Sequence, residues 1–197
     1  MAFVDIHPLT PERFNDLAEL FASGDPRWCW CQYFRARARS WANASAESNR
    51  AVLERLTSES DATDGVAPGL VAYRDGAVIG WVSLAPREDY ERLAASRLLR
   101  PVDDRPVWSI VCFVVAGRQR GTGVATALLD AAIAYARERG AETLEAYPIH
   151  ESRGRVSNDA AYAGTQGMFE RAGFTIADVR QWNATSPPRP IMRLELG

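Results

Sequence analysis

The densest chemical signal in the chain is the stretch Val111-Cys-Phe-Val-Val-Ala-Gly-Arg-Gln-Arg-Gly-Thr-Gly-Val-Ala-Thr-Ala-Leu-Leu129. A run rich in β-branched and aromatic residues reads as a buried strand, and it delivers the chain into a turn containing Gly121 and Gly123. The turn opens into a helical pattern. The first amides of a helix lack intrahelical partners and sit at the positive end of its dipole, so they can hold a phosphate or pyrophosphate. Glycines let the backbone approach such an anion without a Cβ in the way. A dinucleotide-binding turn would want a third glycine where Thr126 stands, and a purely structural turn is the plain alternative. A second group of interest is Trp28-Cys-Trp-Cys-Gln-Tyr33. Cys29 and Cys31, with Cys112, His7 and His150, invite a metal reading, but the set lacks paired metal-ligand spacing and no metal is expected.

Composition narrows the chemistry further. All 23 basic residues are Arg, against 25 acidic residues, for a net charge of -2. Without lysine, the Gly-Lys-Ser/Thr phosphate cradle is excluded, as are pyridoxal phosphate enzymes and aldolases that need a lysine Schiff base. The near-neutral balance argues against a nucleic-acid partner, since counterion release needs a positive surface. No apolar run approaches the ~18 residues of a membrane span, so no membrane partner is expected. Three cysteines, an odd number with no cleavable apolar leader, point to a reducing, cytoplasmic compartment.

The elements that must position these groups follow from periodicity. Phe3 to His7 reads as a strand, and Thr10 and Pro11 open a helix with Phe14, Leu17, Leu20 and Phe21 on its apolar face. Ser45 to Ser58 is a second helix. Gly69 to Tyr73 and Ala77 to Leu84 form a hairpin across an Asp-Gly turn. Arg87 to Leu99 is a polar helix or an irregular excursion. Val107 to Val115 is the central strand, Val124 to Arg139 the helix closed by Gly140, and Thr143 to Ile149 the next strand. Met168 to Ala172 is a short helix, and Phe174 to Trp182 and Pro190 to Leu196 are a last antiparallel pair. The order predicts a single α/β (α+β) domain over residues 1–197, a mixed, mostly antiparallel sheet of about seven strands flanked by helices.

In this setting Arg120-Gly-Thr-Gly123-Val-Ala125 resembles the Arg/Gln-x-x-Gly-x-Gly/Ala signature of the GCN5-related N-acetyltransferase (GNAT) superfamily. Met168-Phe-Glu-Arg-Ala-Gly-Phe174 is similar to that superfamily's late Leu-Tyr-Glu-Lys-Leu-Gly-Phe element, and Ile6 to Phe14 to its first strand and helix. The resemblance implies acetyl-CoA as co-substrate, its pyrophosphate on Arg120, Gly121, Thr122, Gly123, Val124 and Ala125. It also implies a sheet splayed at the central strands, with the pantetheine arm along Phe113, Val114 and Val115. The reaction implied is direct acetyl transfer to a small-molecule amine in a ternary complex; a second copy of the chain, as a homodimer, is a candidate partner. Phe169 stands where many members have a tyrosine acid and Ser109 where many have a glutamate base. Tyr162 and His150 are therefore the catalytic candidates, with Glu145 and Tyr147 as acceptor-binding candidates. Trp28 and Tyr33 lie in the variable acceptor-side segment, around residues 22–60, where aromatics would form an apolar or cation-stacking wall. Loss of both proton-transfer residues leaves a non-catalytic acyl-CoA sensor or interaction domain as the alternative.

Overall fold

The computed structural model describes residues 4–22, 26–148 and 162–197. Seven strands form one sheet in the order β1-β2-β3-β4-β5-β7-β6. The strands are β1 Asp5–Pro8, β2 Gly69–Arg74, β3 Ala77–Pro86, β4 Trp108–Val115, β5 Thr143–Ala146, β6 Thr175–Arg180 and β7 Arg189–Glu195. All neighbours pair antiparallel except β4 and β5, which run parallel. The helices are α1 Phe14–Phe21, α2 Pro26–Cys29, α3 Ala38–Ala42, α4 Ala46–Ala62, α5 Glu91–Ala95, α6 Val124–Glu138 and α7 Gln166–Arg171.

Local chemistry accounts for the joints. Asp75 and Gly76 both adopt positive φ, and Arg74 pairs with Ala77 across them, so a two-residue turn with the twist a hairpin needs joins β2 to β3. Ser45 caps α4: its hydroxyl accepts the Ser48 N–H at 3.0 Å while Ser48 Oγ accepts the Ser45 N–H at 2.8 Å. Gly69 is fixed by packing, because a Cβ there would fall 2.2 Å from the Val82 carbonyl and 2.4 Å from the Trp81 ring.

The sheet is covered on both faces. On one, α6 buries Val124, Leu128, Leu129, Ala132 and Ala136, near helical spacing, against Leu70, Val82, Ile110, Leu144 and Met192. Each such leucine contributes about 1.5–3 kcal/mol. On the other, Phe14, Leu17 and Phe21 of α1 join Trp30, Trp81 and Val114, and next to them Tyr90, Leu93 and Leu99 pack on Val111, Tyr147 and Ile191.

Several boundaries differ from expectation. The first helix begins with a tight 3₁₀ turn at Pro11–Arg13, and Thr10 makes no side-chain cap hydrogen bond. The second helix runs on to Ala62, and β5 ends at Ala146, so that Tyr147 and Pro148 continue without strand pairing. The excursion after β3 resolves into a turn at Arg87–Asp89 followed by α5.

Candidate active site

The site is made by a mismatch in strand length. β4 pairs with β5 only from Trp108 to Ile110, against Leu144 to Ala146, while β4 continues to Val115. A bulge falls at the point of parting: Ser83 stands opposite Cys112 but Leu84 opposite Ile110, leaving Val111 as the extra residue. Bulges bend the strand that carries them, and this one falls where the β4–β5 pairing ends. A cavity of about 510 Å³ occupies this region, lined by Phe113, Val115, Gln119, Arg120, Gly121, Gly123, Val124, Ala125, Thr126, Tyr162 and Gly164.

The glycine turn forms one end of the cavity. Gly121 has φ +76° and Gly123 φ +87°, and open space surrounds the position a Cβ would take at either. The left-handed backbone, not crowding, thus explains glycine here. Gly123 is the N-cap of α6 and supplies no side-chain cap, and the first bond of the helix runs from the Ala127 N–H to the Gly123 carbonyl at 3.0 Å. The amides of Val124, Ala125 and Thr126 precede that bond and face an anion-accepting end of the dipole. From the hairpin, Arg74 donates to Gln119 Oε1 and, at 3.3 Å, to Thr122 Oγ1, pinning the turn.

The sequence-derived candidates separate into distinct places. Phe113, Val115, Arg120, Gly121, Gly123, Val124, Ala125 and Tyr162 share the cavity. Val114 turns to the opposite face and packs with Trp81 and Leu9, and Thr122 is held by Arg74. The Phe113 amide donates to the Tyr162 carbonyl at 2.7 Å, so that donor on the exposed edge is already engaged, while the Val115 carbonyl accepts Arg120 Nε at 3.3 Å. His150 lies outside the described residues. Phe169 is fully buried between Phe113 and Phe174.

Glu145 and Tyr147, expected to face the acceptor, are instead buried in a polar network. Glu145 is 0% exposed and accepts from Arg87 at 2.6 Å, Arg193 Nε at 2.9 Å and the Tyr147 hydroxyl at 2.6 Å. Ser109 Oγ meets the same hydroxyl at 2.8 Å. Arg193 also grips Asp103 through both terminal nitrogens, at 2.6 and 3.0 Å, which holds the Asp103 carboxyl below its usual range. Burial, then the Glu145 charge, push the Tyr147 phenol well up, so it remains a neutral donor. Sequence reasoning missed Arg87, Arg193 and Asp103, whose roles depend on strand register.

The segment with the unusual cysteines is divided between interior and surface. Trp30 and Cys31 both have positive φ, 46° and 53°, a conformation that strains non-glycine residues by about 1–2 kcal/mol each. Trp30 is held by stacking on Phe14 at 6.0 Å and by donating its indole N–H to the Arg27 carbonyl at 3.0 Å. Cys31 Sγ lies 3.3 Å from Cys112 Sγ. Hydrogen bonding to Cys112, with burial, raises the Cys31 thiol well above its ordinary range, and the bond to Cys31 with burial does the same for Cys29. Among the described residues no group of three or more His, Cys, Asp or Glu side chains could hold a metal ion. Trp28 and Tyr33 stay 43% and 44% exposed, set edge-on against Trp41 at 4.7 and 5.3 Å, with Arg92 stacked 4.3 Å over Tyr33.

Comparison with known proteins bears on this geometry. The sequence model of the acetyltransferase (GNAT) family matches residues 25–174. Among solved structures, an N-acetyltransferase from Staphylococcus aureus Mu50 aligns over 100% of both chains at 16% identity, TM-score 0.56. An acetyltransferase of the GNAT family from Streptococcus pneumoniae aligns over 99% of this chain and 100% of its own, at 16% identity and TM-score 0.56. The PaiA N-acetyltransferase from Thermoplasma acidophilum, in complex with coenzyme A, covers 98% and 99% at 14% identity, TM-score 0.54. At these identities the likeness is one of fold. A search of curated proteins finds no match. Among the described residues no helix is long and apolar enough to cross a membrane.

Proposed function

The chain belongs to the GNAT acetyltransferase family, and from that premise we propose that it transfers the acetyl group of acetyl-CoA to the primary amine of a small-molecule acceptor, by direct attack in a ternary complex. The observation that carries the reading is the cavity along β4 beyond its pairing with β5, closed at one end by the glycine turn and the unpaired amides of α6. In the proposed complex the coenzyme's pyrophosphate rests on Gly121 to Ala125, beside Arg120, and its arm runs past Phe113 and Val115, which line the cavity.

Chemistry then needs little more than placement. The neutral amine's lone pair adds to the thioester carbonyl, the tetrahedral intermediate collapses with loss of the carbon–sulfur bond, the nitrogen gives up one proton, and the thiolate gains one. Phe169 has no proton to give, and Ser109 is tied to Tyr147. Tyr162 lines the cavity and is our candidate for the acid that protonates the departing thiolate; His150 is the candidate base from sequence. The free thiols Cys29, Cys31 and Cys112 support a reducing compartment such as the cytoplasm.

Phe169 also favours a second reading, a coenzyme-binding sensor of the same fold without turnover. Calorimetry with acetyl-CoA, CoA and NAD, followed by coenzyme release across a panel of amines, separates the two. The enzyme reading expects binding of the first two compounds and release with at least one amine. In Tyr162→Phe, turnover should fall at least tenfold with coenzyme affinity retained. NAD binding without CoA binding overturns both readings, and binding with no amine-dependent release leaves the sensor.

A further inference from the structure

Arg189 is the one half-buried arginine among the described residues with neither a hydrogen bond nor an ion pair from its side chain. Every other arginine there that is not exposed donates to at least one partner. Burial lowers the Arg189 guanidinium from its ordinary range, and the ionisable side chain felt there is Tyr33, not a carboxylate. A guanidinium partly shielded from water, with its donors unclaimed by the protein, is a ready partner for an anion.

Its place says which anion. β7 runs antiparallel to β5 with Met192 opposite Ala146, so Arg189, three residues earlier in β7, stands beyond the end of β5, at the end where β4 and β5 part. It alternates with Ile191 and Arg193, on the face that packs Ile191 against Val111 and Tyr147 and also receives Phe34. That is the face opposite α6, walled by the segment containing Tyr33. We propose that Arg189 binds the carboxylate of the amine acceptor, making carboxylate-bearing amines the substrate class. A planar guanidinium offers two parallel N–H donors to a carboxylate, and the exposed Tyr33 ring flanks it.

This inference rests on the acetyl-transfer reading, so binding and turnover are measured separately. The coenzyme A-loaded protein is titrated calorimetrically with glycine, β-alanine, L-phenylalanine and L-glutamate, each beside its C-terminal amide, and with 2-aminoethyl phosphate; coenzyme release is then assayed on the same set. At least one carboxylate should bind and react roughly ten- to a hundredfold better than its amide, the size of a charge-assisted hydrogen bond. Arg189→Gln should abolish that preference, as a rise in KM with coenzyme affinity unchanged. Amides equal to acids, a preference that survives Arg189→Gln, or response to the phosphate alone would overturn the proposal. Arg189-dependent carboxylate binding without acetyl transfer would uphold the anion site and overturn the function instead.

Discussion

Replacing Glu145 by glutamine keeps the shape of the side chain and removes the charge that two arginines share. Arg193 would retain its two-pronged grip on Asp103, so the loss falls mainly on Arg87, whose remaining partners are the Tyr147 hydroxyl and the Leu99 carbonyl. The Arg87 side chain is 11% exposed and Glu145 0%, which places the pair in the regime where removing one partner costs about 3–5 kcal/mol. Because Asp103 still balances Arg193, we expect roughly 3 kcal/mol. At 2–4 °C per kcal/mol for a domain of this size, the melting temperature should fall by about 6–12 °C. Urea unfolding should show a lower midpoint at unchanged slope. Arg87→Met combined with Glu145→Leu removes both charges together and should recover part of the loss. A fall below about 1 kcal/mol, or a double variant no better than Glu145→Gln, would refute the assignment of Glu145 to a buried structural pair. So would a Glu145→Gln variant of native stability whose acceptor KM alone rises, since Glu145 would then belong to the acceptor pocket.

Three further outcomes are expected. Gly123→Ala should lose about 1–2 kcal/mol from its positive φ and keep coenzyme binding, whereas Gly123→Asp should melt with the alanine variant yet bind CoA at least tenfold more weakly in calorimetry; equal affinities would mean the turn holds no phosphate. Burial raises the phenols of Tyr90 and Tyr147 above their ordinary values in the folded state, so their contribution to stability is complete below pH about 10 and is lost as pH rises beyond it. Phenolate absorbance from these two should appear only with unfolding, and native-state ionisation of all six tyrosines would contradict this. With their thiols raised, Cys29 and Cys31 should react with iodoacetamide at pH 8 far more slowly than in urea, and labelling at the denatured rate, located by peptide mass, would show that the cluster is open.

What could be read from the chain and what could not divides along sequence distance. The glycine turn, α6 and the Asp-Gly hairpin were legible because each is decided within a few residues: Asp75 and Gly76, then Gly121 and Gly123, announce positive φ, and the apolar spacing of Val124 to Ala136 announces a face. The length of β5 was not legible, because strand pairing and not the apolar run Thr143 to Ile149 determines where a strand stops. That Glu145 and Tyr147 enter a buried polar network was not legible for the same reason. Their partners lie 58 and 60 residues away at Arg87 and 48 away at Arg193, and no local pattern encodes a meeting set by the register Ser109 to Glu145 to Arg193.

The same network shows what an arginine-only composition does inside the fold. Arg193 bonds Glu145 through Nε and Asp103 through its two terminal nitrogens, so one planar group spans two carboxylates on different elements. A lysine presents a single nitrogen without that planar fork, so it could not hold one carboxylate two-pronged while a separate nitrogen bonds the other. Arg87 likewise divides its two terminal nitrogens between Glu145 with Tyr147 and the Leu99 carbonyl. In this interior the guanidinium is a cross-link as well as a charge. A half-buried guanidinium whose donors meet no partner, as at Arg189, departs from the rule the other arginines that are not exposed follow among the described residues, and that departure at the open end of the sheet is what the proposed carboxylate contact rests on.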